Sequence, residues 1–185
     1  MQRKLLIILC LMGSVLITFA QKKKKNNNTE VPAKTDTTID YKIEGASPMP
    51  ALRVLHMMGK NNGNEIYTTK DIPAKKNVLV MMYNPTCGHC QEETILFKNN
   101  LEALKNTEVL LMADTVMKEY IDFFSSTTKV FDTPELKMVL DQCGFIKNTF
   151  IYKALPQINI YNKDKKLIKI FTGDTPIDSL KPYIQ

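Results

Sequence analysis

Residues 78–83, VLVMMY, are apolar without interruption and bounded by polar residues, the pattern of a strand covered on both faces. Residues 109–113, VLLMA, repeat it and predict a second buried strand. Between the two, Asn84-Pro85-Thr86 breaks the chain, and residues 90–105 set Ile95, Leu96, Leu101 and Leu104 near helical spacing. Upstream, residues 51–57 and 65–69 read as short strands around the Asn/Gly-rich stretch GKNNGN, a hairpin. Downstream, residues 115–126 predict a short amphipathic helix. Thr133-Pro134-Glu135 reads as a cap with proline at the first helical position, and Gly144 closes that helix just after Cys143. Residues 155–161 and 167–171 alternate about the turn Asn162-Lys163-Asp164, and Asp174-Thr175-Pro176 opens a last helix to Tyr183. From Val78 the order is β-α-β-α-α-β-β-α. This is an α/β domain whose sheet begins parallel and ends antiparallel, with an N-terminal β-hairpin extension.

The N-terminal segment follows other rules. Arg3 and Lys4 precede an apolar run from Leu5 to Phe19 that ends in small residues, so residues 1–20 read as a secretory signal peptide, with a retained membrane anchor as the alternative. Residues 21–48 are rich in Lys, Asn, Thr and Asp and poor in large apolar groups, the composition of a disordered tether. The folded domain is then expected over residues 49–185. The 185-residue chain has room for one such core, and its formal charge of +6 comes from the N-terminus. Six of the 25 cations precede Asn26, which leaves 19 against 19 acidic residues in the rest. A neutral body argues against a nucleic-acid partner, whose binders carry a basic face on the fold itself.

Cys87-Gly88-His89-Cys90 stands between the first buried strand and the first turn of a helix. Two intervening residues in a helical first turn bring both sulfurs to one side, within disulfide reach. At a helix N-terminus, free N–H groups and the dipole stabilise a thiolate, which favours Cys87 as a nucleophile. Cys90, a turn inward, suits the resolving role. A zinc site or an inert structural disulfide is the competing reading; the chain has no second CxxC, and only Cys143, His56 and His89 remain to complete a zinc tetrahedron. Cys143, at the expected helix end, reads as a buried small apolar residue.

With these residues in place the chain resembles thioredoxin-fold proteins, and more closely the exported TlpA-like thiol-disulfide oxidoreductases. The resemblance covers about residues 45–185. It rests on Pro85-Thr86-Cys87-Gly88-His89-Cys90 after the buried strand, on Glu93 three residues after Cys90, on Leu155-Pro156 at the late hairpin, and on Ala46-Ser47-Pro48 at the domain entry. It implies a thioredoxin-like fold, with a central mixed sheet flanked by helices, and a redox-active Cys87–Cys90 disulfide with no cofactor or metal. It also implies a cis Pro156 with the Leu155 backbone pairing to substrate. Cysteine-containing proteins or peptides would be the substrates, outside the cytoplasm, with a membrane-linked redox partner. Met81 stands where thioredoxin has a buried Asp, which makes Glu93 the candidate acid/base. His89 stands where protein disulfide isomerase also carries His, and a His there stabilises the Cys87 thiolate. Gly88 and His89 thus point to an oxidant or isomerase and the TlpA-like context to a reductant; both directions stay open.

Overall fold

The computed structural model describes residues 39–59 and 64–184. The signal-peptide segment, most of the tether and the tip of the first hairpin loop lie outside the described residues. Seven strands form one sheet: β1 (Arg53–Met57), β2 (Asn64–Thr68), β3 (Asn77–Met82), β4 (Thr107–Asp114), β5 (Leu136–Asp141), β6 (Gln157–Tyr161) and β7 (Leu167–Thr172). Their order is β2-β1-β5-β4-β3-β6-β7. β3, β4 and β5 run parallel, and the outer pairs β1–β2 and β6–β7 are antiparallel, giving the mixed sheet expected.

The uninterrupted apolar run of β3 follows from its position. It pairs with β4 on one side and β6 on the other, and its alternate residues enter two separate cores. Leu79, Met81 and Tyr83 join Phe97, Phe124, Leu180 and Ile184 from helices α1 (Gly88–Lys98), α3 (Ile121–Thr128) and α4 (Ile177–Ile184). Val78, Val80 and Met82 face Met49, Leu52 and Phe150 on the opposite side. Each such fully buried aliphatic side chain contributes about 1.5–3 kcal/mol of transfer free energy.

One expected element is different. Residues 133–144 do not form a helix: Leu136–Asp141 is the strand β5. Leu136, Met138 and Leu140 alternate with Lys137 and Val139, and the strand satisfies its backbone on both edges, pairing Met138 with Leu111 of β4 and with Met57 of β1. Two ladders outweigh the weak helical preference of Leu, Lys and Met. Cys143 consequently closes no helix and is exposed, in the loop after β5, where its N–H donates to Asp141 Oδ1 at 3.0 Å. A π-helical turn over Ile146–Phe150 follows and puts Ile146 and Phe150 into the second core.

Smaller boundaries shift too. The first long helix breaks at Asn99–Asn100 into α1 and the short α2 (Leu101–Leu104), with Asn100 Nδ2 donating to Leu96 O. Residues 115–120 are a 3₁₀ turn leading into α3. The last residues of the tether segment are held to β7: Gly45 N–H donates to Leu167 O at 2.7 Å, and Glu44 accepts from Ile170 N–H at 2.8 Å. This stretch covers an edge strand whose backbone would otherwise be open to pairing. Among the described residues no helix is long and apolar enough to cross a membrane.

Candidate active site

The Cys-Gly-His-Cys turn starts where β3 ends. Asn84 Oδ1 accepts from both the Thr86 N–H and Oγ1 at 2.9 Å, and Asn84 O accepts the Cys87 N–H at 3.0 Å. Gln91, one turn into α1, donates from Nε2 to Pro85 O at 2.9 Å. These bonds fix the turn, and Cys87 becomes the N-cap residue of α1 with its sulfur free of any capping hydrogen bond. Cys87 is half-buried and Cys90 fully buried; both are free thiols. Burial, followed by a hydrogen bond with Cys87, pushes the Cys90 thiol far above its ordinary range.

Helix α1 buries a side formed by Cys90, Glu93, Thr94 and Phe97. A spacing of three puts Glu93 on the same face as Cys90. The Glu93 side is 4% exposed, its Oε2 accepts the Thr175 N–H at 3.1 Å, and its Oε1 has no partner. Desolvation raises its pKa to about 7, against the opposing pull of the Thr175 N–H and with help from the Asp174 charge. A cleft of about 320 Å³, lined by Glu93, Leu96, Asp174, Thr175 and others, lies against this residue. A buried acid half-ionised near neutrality, three residues along the same helix face from a buried thiol and at the wall of a cleft, can accept a proton from that thiol.

His89 is exposed and turned to carboxylates: its Nδ1 lies 2.9 Å from Asp174 Oδ1 and 3.8 Å from Glu92 Oε2. Among the described residues, His89, Glu92 and Asp174 are the group close enough to share an ion, and neither cysteine belongs to it.

No protein-family model matches the chain, and no curated protein matches it. Solved structures do. StoA from Bacillus subtilis superposes with a TM-score of 0.55 at 16% identity, over 74% of this chain and 100% of that one. The thioredoxin domain of a thiol-disulfide oxidoreductase from Bacteroides vulgatus gives 0.57 at 17% identity, over 75% and 96%. The domain has the thioredoxin-like fold. The mitochondrial 2-Cys peroxiredoxin of Plasmodium falciparum also matches, with a TM-score of 0.56 at 16% identity over 74% and 89%. A shared backbone therefore leaves the choice of chemistry to the site.

In this thioredoxin-like domain the late hairpin comes back to the cysteines. β6 pairs antiparallel with β3, with Gln157 opposite Met82, so Leu155 and Pro156 fall beside the start of the active-site turn. The Leu155–Pro156 peptide bond is cis and Pro156 is buried. A segment that the sequence marked only as the entry to a helix connects the rest. Gly173 N–H donates to Pro156 O at 2.8 Å, Asp174 pairs with His89, and Thr175 N–H donates to Glu93. Residues 173–175 thus touch three of the residues singled out from sequence. Their one visible signal was the Gly-Asp-Thr-Pro cluster itself. Tyr83, with its buried phenol, likewise carries no sequence signal beyond its place in the strand run.

Proposed function

We propose that this protein is a thiol-disulfide oxidoreductase that exchanges disulfides with cysteines of protein or peptide substrates through Cys87 and Cys90. The observation that carries the reading is the asymmetry of the pair. Cys87 is reachable at the N-terminus of α1, while Cys90 lies buried one turn behind it, above a glutamate poised near neutrality. Cys87 as thiolate attacks a substrate disulfide, forms a mixed disulfide and expels one substrate thiolate. Cys90 then gives its proton to Glu93 and attacks the Cys87 sulfur; the Cys87–Cys90 disulfide forms and the second substrate thiolate leaves. The reverse sequence oxidises a dithiol. Leu155 and Pro156 would border the incoming chain, with the Leu155 backbone offering strand-like pairing. The N-terminal pattern and the disulfide chemistry fit work outside the cytoplasm, with a membrane-linked redox partner resetting the pair.

Trapping tests this. Cys90→Ser should accumulate a mixed disulfide with a cysteine-bearing peptide, and Cys87→Ser should not. Trapping by neither variant, or by Cys87→Ser alone, would contradict the assignment.

A further inference from the structure

Four buried side-chain atoms lack a hydrogen-bond partner among the described residues, and two of them surround the chemistry: Glu93 Oε1 and the Tyr83 phenol oxygen. Both belong to groups that interact electrostatically with the Cys90 thiol. Tyr83 is 3% exposed, on the same sheet face as Leu79 and Met81, in the core that also holds Cys90. Its ring stacks on Phe124 with centroids 4.4 Å apart. Packing alone would be served by phenylalanine, since a buried hydroxyl without a partner destabilises the fold. The hydroxyl therefore calls for a reason other than stability.

We propose that the Tyr83 O–H supports the negative charge that develops on the Cys90 sulfur during exchange. The proposal rests on the exchange reading above and adds to it a group on the sheet side of Cys90, opposite in origin to Glu93 on the helix. As Cys90 transfers its proton to the Glu93 carboxylate, the sulfur electron pair forms the bond to Cys87 sulfur, and the Cys87–substrate bond breaks with its electrons on the departing substrate thiolate. Tyr83 loses no proton in this step. Its phenol is pushed far above the ordinary tyrosine range by burial and by the Cys90 charge, so it stays a donor throughout. A neutral thiol is a weak acceptor and a thiolate a strong one, which fits a phenol left unpaired in the dithiol state. In the reverse direction Cys90 leaves as a thiolate and receives the same support.

Tyr83→Phe separates this role from packing. After rapid mixing of the reduced protein with a peptide disulfide, quenched samples read by mass spectrometry follow the mixed disulfide as it forms and decays. Formation at Cys87 should be unchanged, decay into the Cys87–Cys90 disulfide should slow about tenfold or more, and the melting temperature should stay at or above wild type. A wild-type decay rate overturns the proposal. Site-specific 3-fluorotyrosine at position 83 keeps the shape and strengthens the donor, so decay should quicken; an unchanged rate there also overturns it, even if the phenylalanine variant fails to fold. A wild type that never exchanges disulfides removes both readings, whereas one that exchanges while both variants match it removes the role of Tyr83 alone.

Discussion

Glu93→Gln probes stability and chemistry with one substitution. The Glu93 carboxyl moves from an ordinary value of 4.5 to about 7 on folding. The folded protein therefore holds this proton more tightly than the unfolded chain, so the stability that Glu93 contributes is fully present below pH 4.5 and is lost as pH rises to about 7. A shift of some 2.5 units at 1.36 kcal/mol each makes the loss about 3 kcal/mol. Glutamine stays neutral, keeps an acceptor for the Thr175 N–H, and puts an amide N–H where Oε1 has no partner, at a cost of about 1 kcal/mol. At pH 8 the variant should be about 2 kcal/mol more stable than wild type, a rise of roughly 4–8 °C in melting temperature, and its stability should lose this slope between pH 4.5 and 7. The chemistry should move the other way. Wild-type resolution of the mixed disulfide should rise with pH through about 7 as Glu93 ionises, and the variant should lack that rise and run roughly 10²–10⁴-fold slower at pH 8. Cys90 is pushed too high to ionise unaided, so the deficit should persist to pH 9. Melting curves and single-turnover rates from pH 4 to 9 measure both. A variant that keeps the wild-type stability slope, or that resolves at the wild-type rate from pH 6 to 9, would refute the argument.

The exposure of the thiols gives a direct check: in the native reduced protein, iodoacetamide should label Cys87 and Cys143 within minutes and reach Cys90 only after unfolding, as peptide mapping would report. Gly144→Ala should destabilise the fold by about 1–2 kcal/mol in urea titration, because Gly144 has φ of 76° and an added Cβ would stand 2.7 Å from Asn148 Nδ2; an unchanged midpoint would show that the loop after β5 relaxes freely.

Local pattern encodes the elements that neighbouring residues decide. The apolar runs of β3 and β4, the alternation of β6 and β7, the break at Asn84-Pro85-Thr86 and the placing of Cys87 at a helix start are properties of residues close together in the chain. Their periodicity and turn chemistry report them directly. The sequence of β5 predicts a helix because its six residues suit a helix or a strand, and the choice falls to the ladders that β4 and β1 offer. Those partners lie 27 and 81 positions upstream at the pairs of Met138 with Leu111 and Met57. Cys143 follows from the same decision, exposed once no helix ends there. The chemistry of Glu93 depends still more on distant chain. Its place three residues after Cys90 is legible; its burial and its pKa near 7 are not, because desolvation in the folded interior raises that pKa, with the Asp174 charge adding to the rise and the Thr175 N–H opposing it, 81 and 82 residues further on. Desolvation is a property of everything packed around a group, and only the folded chain supplies it.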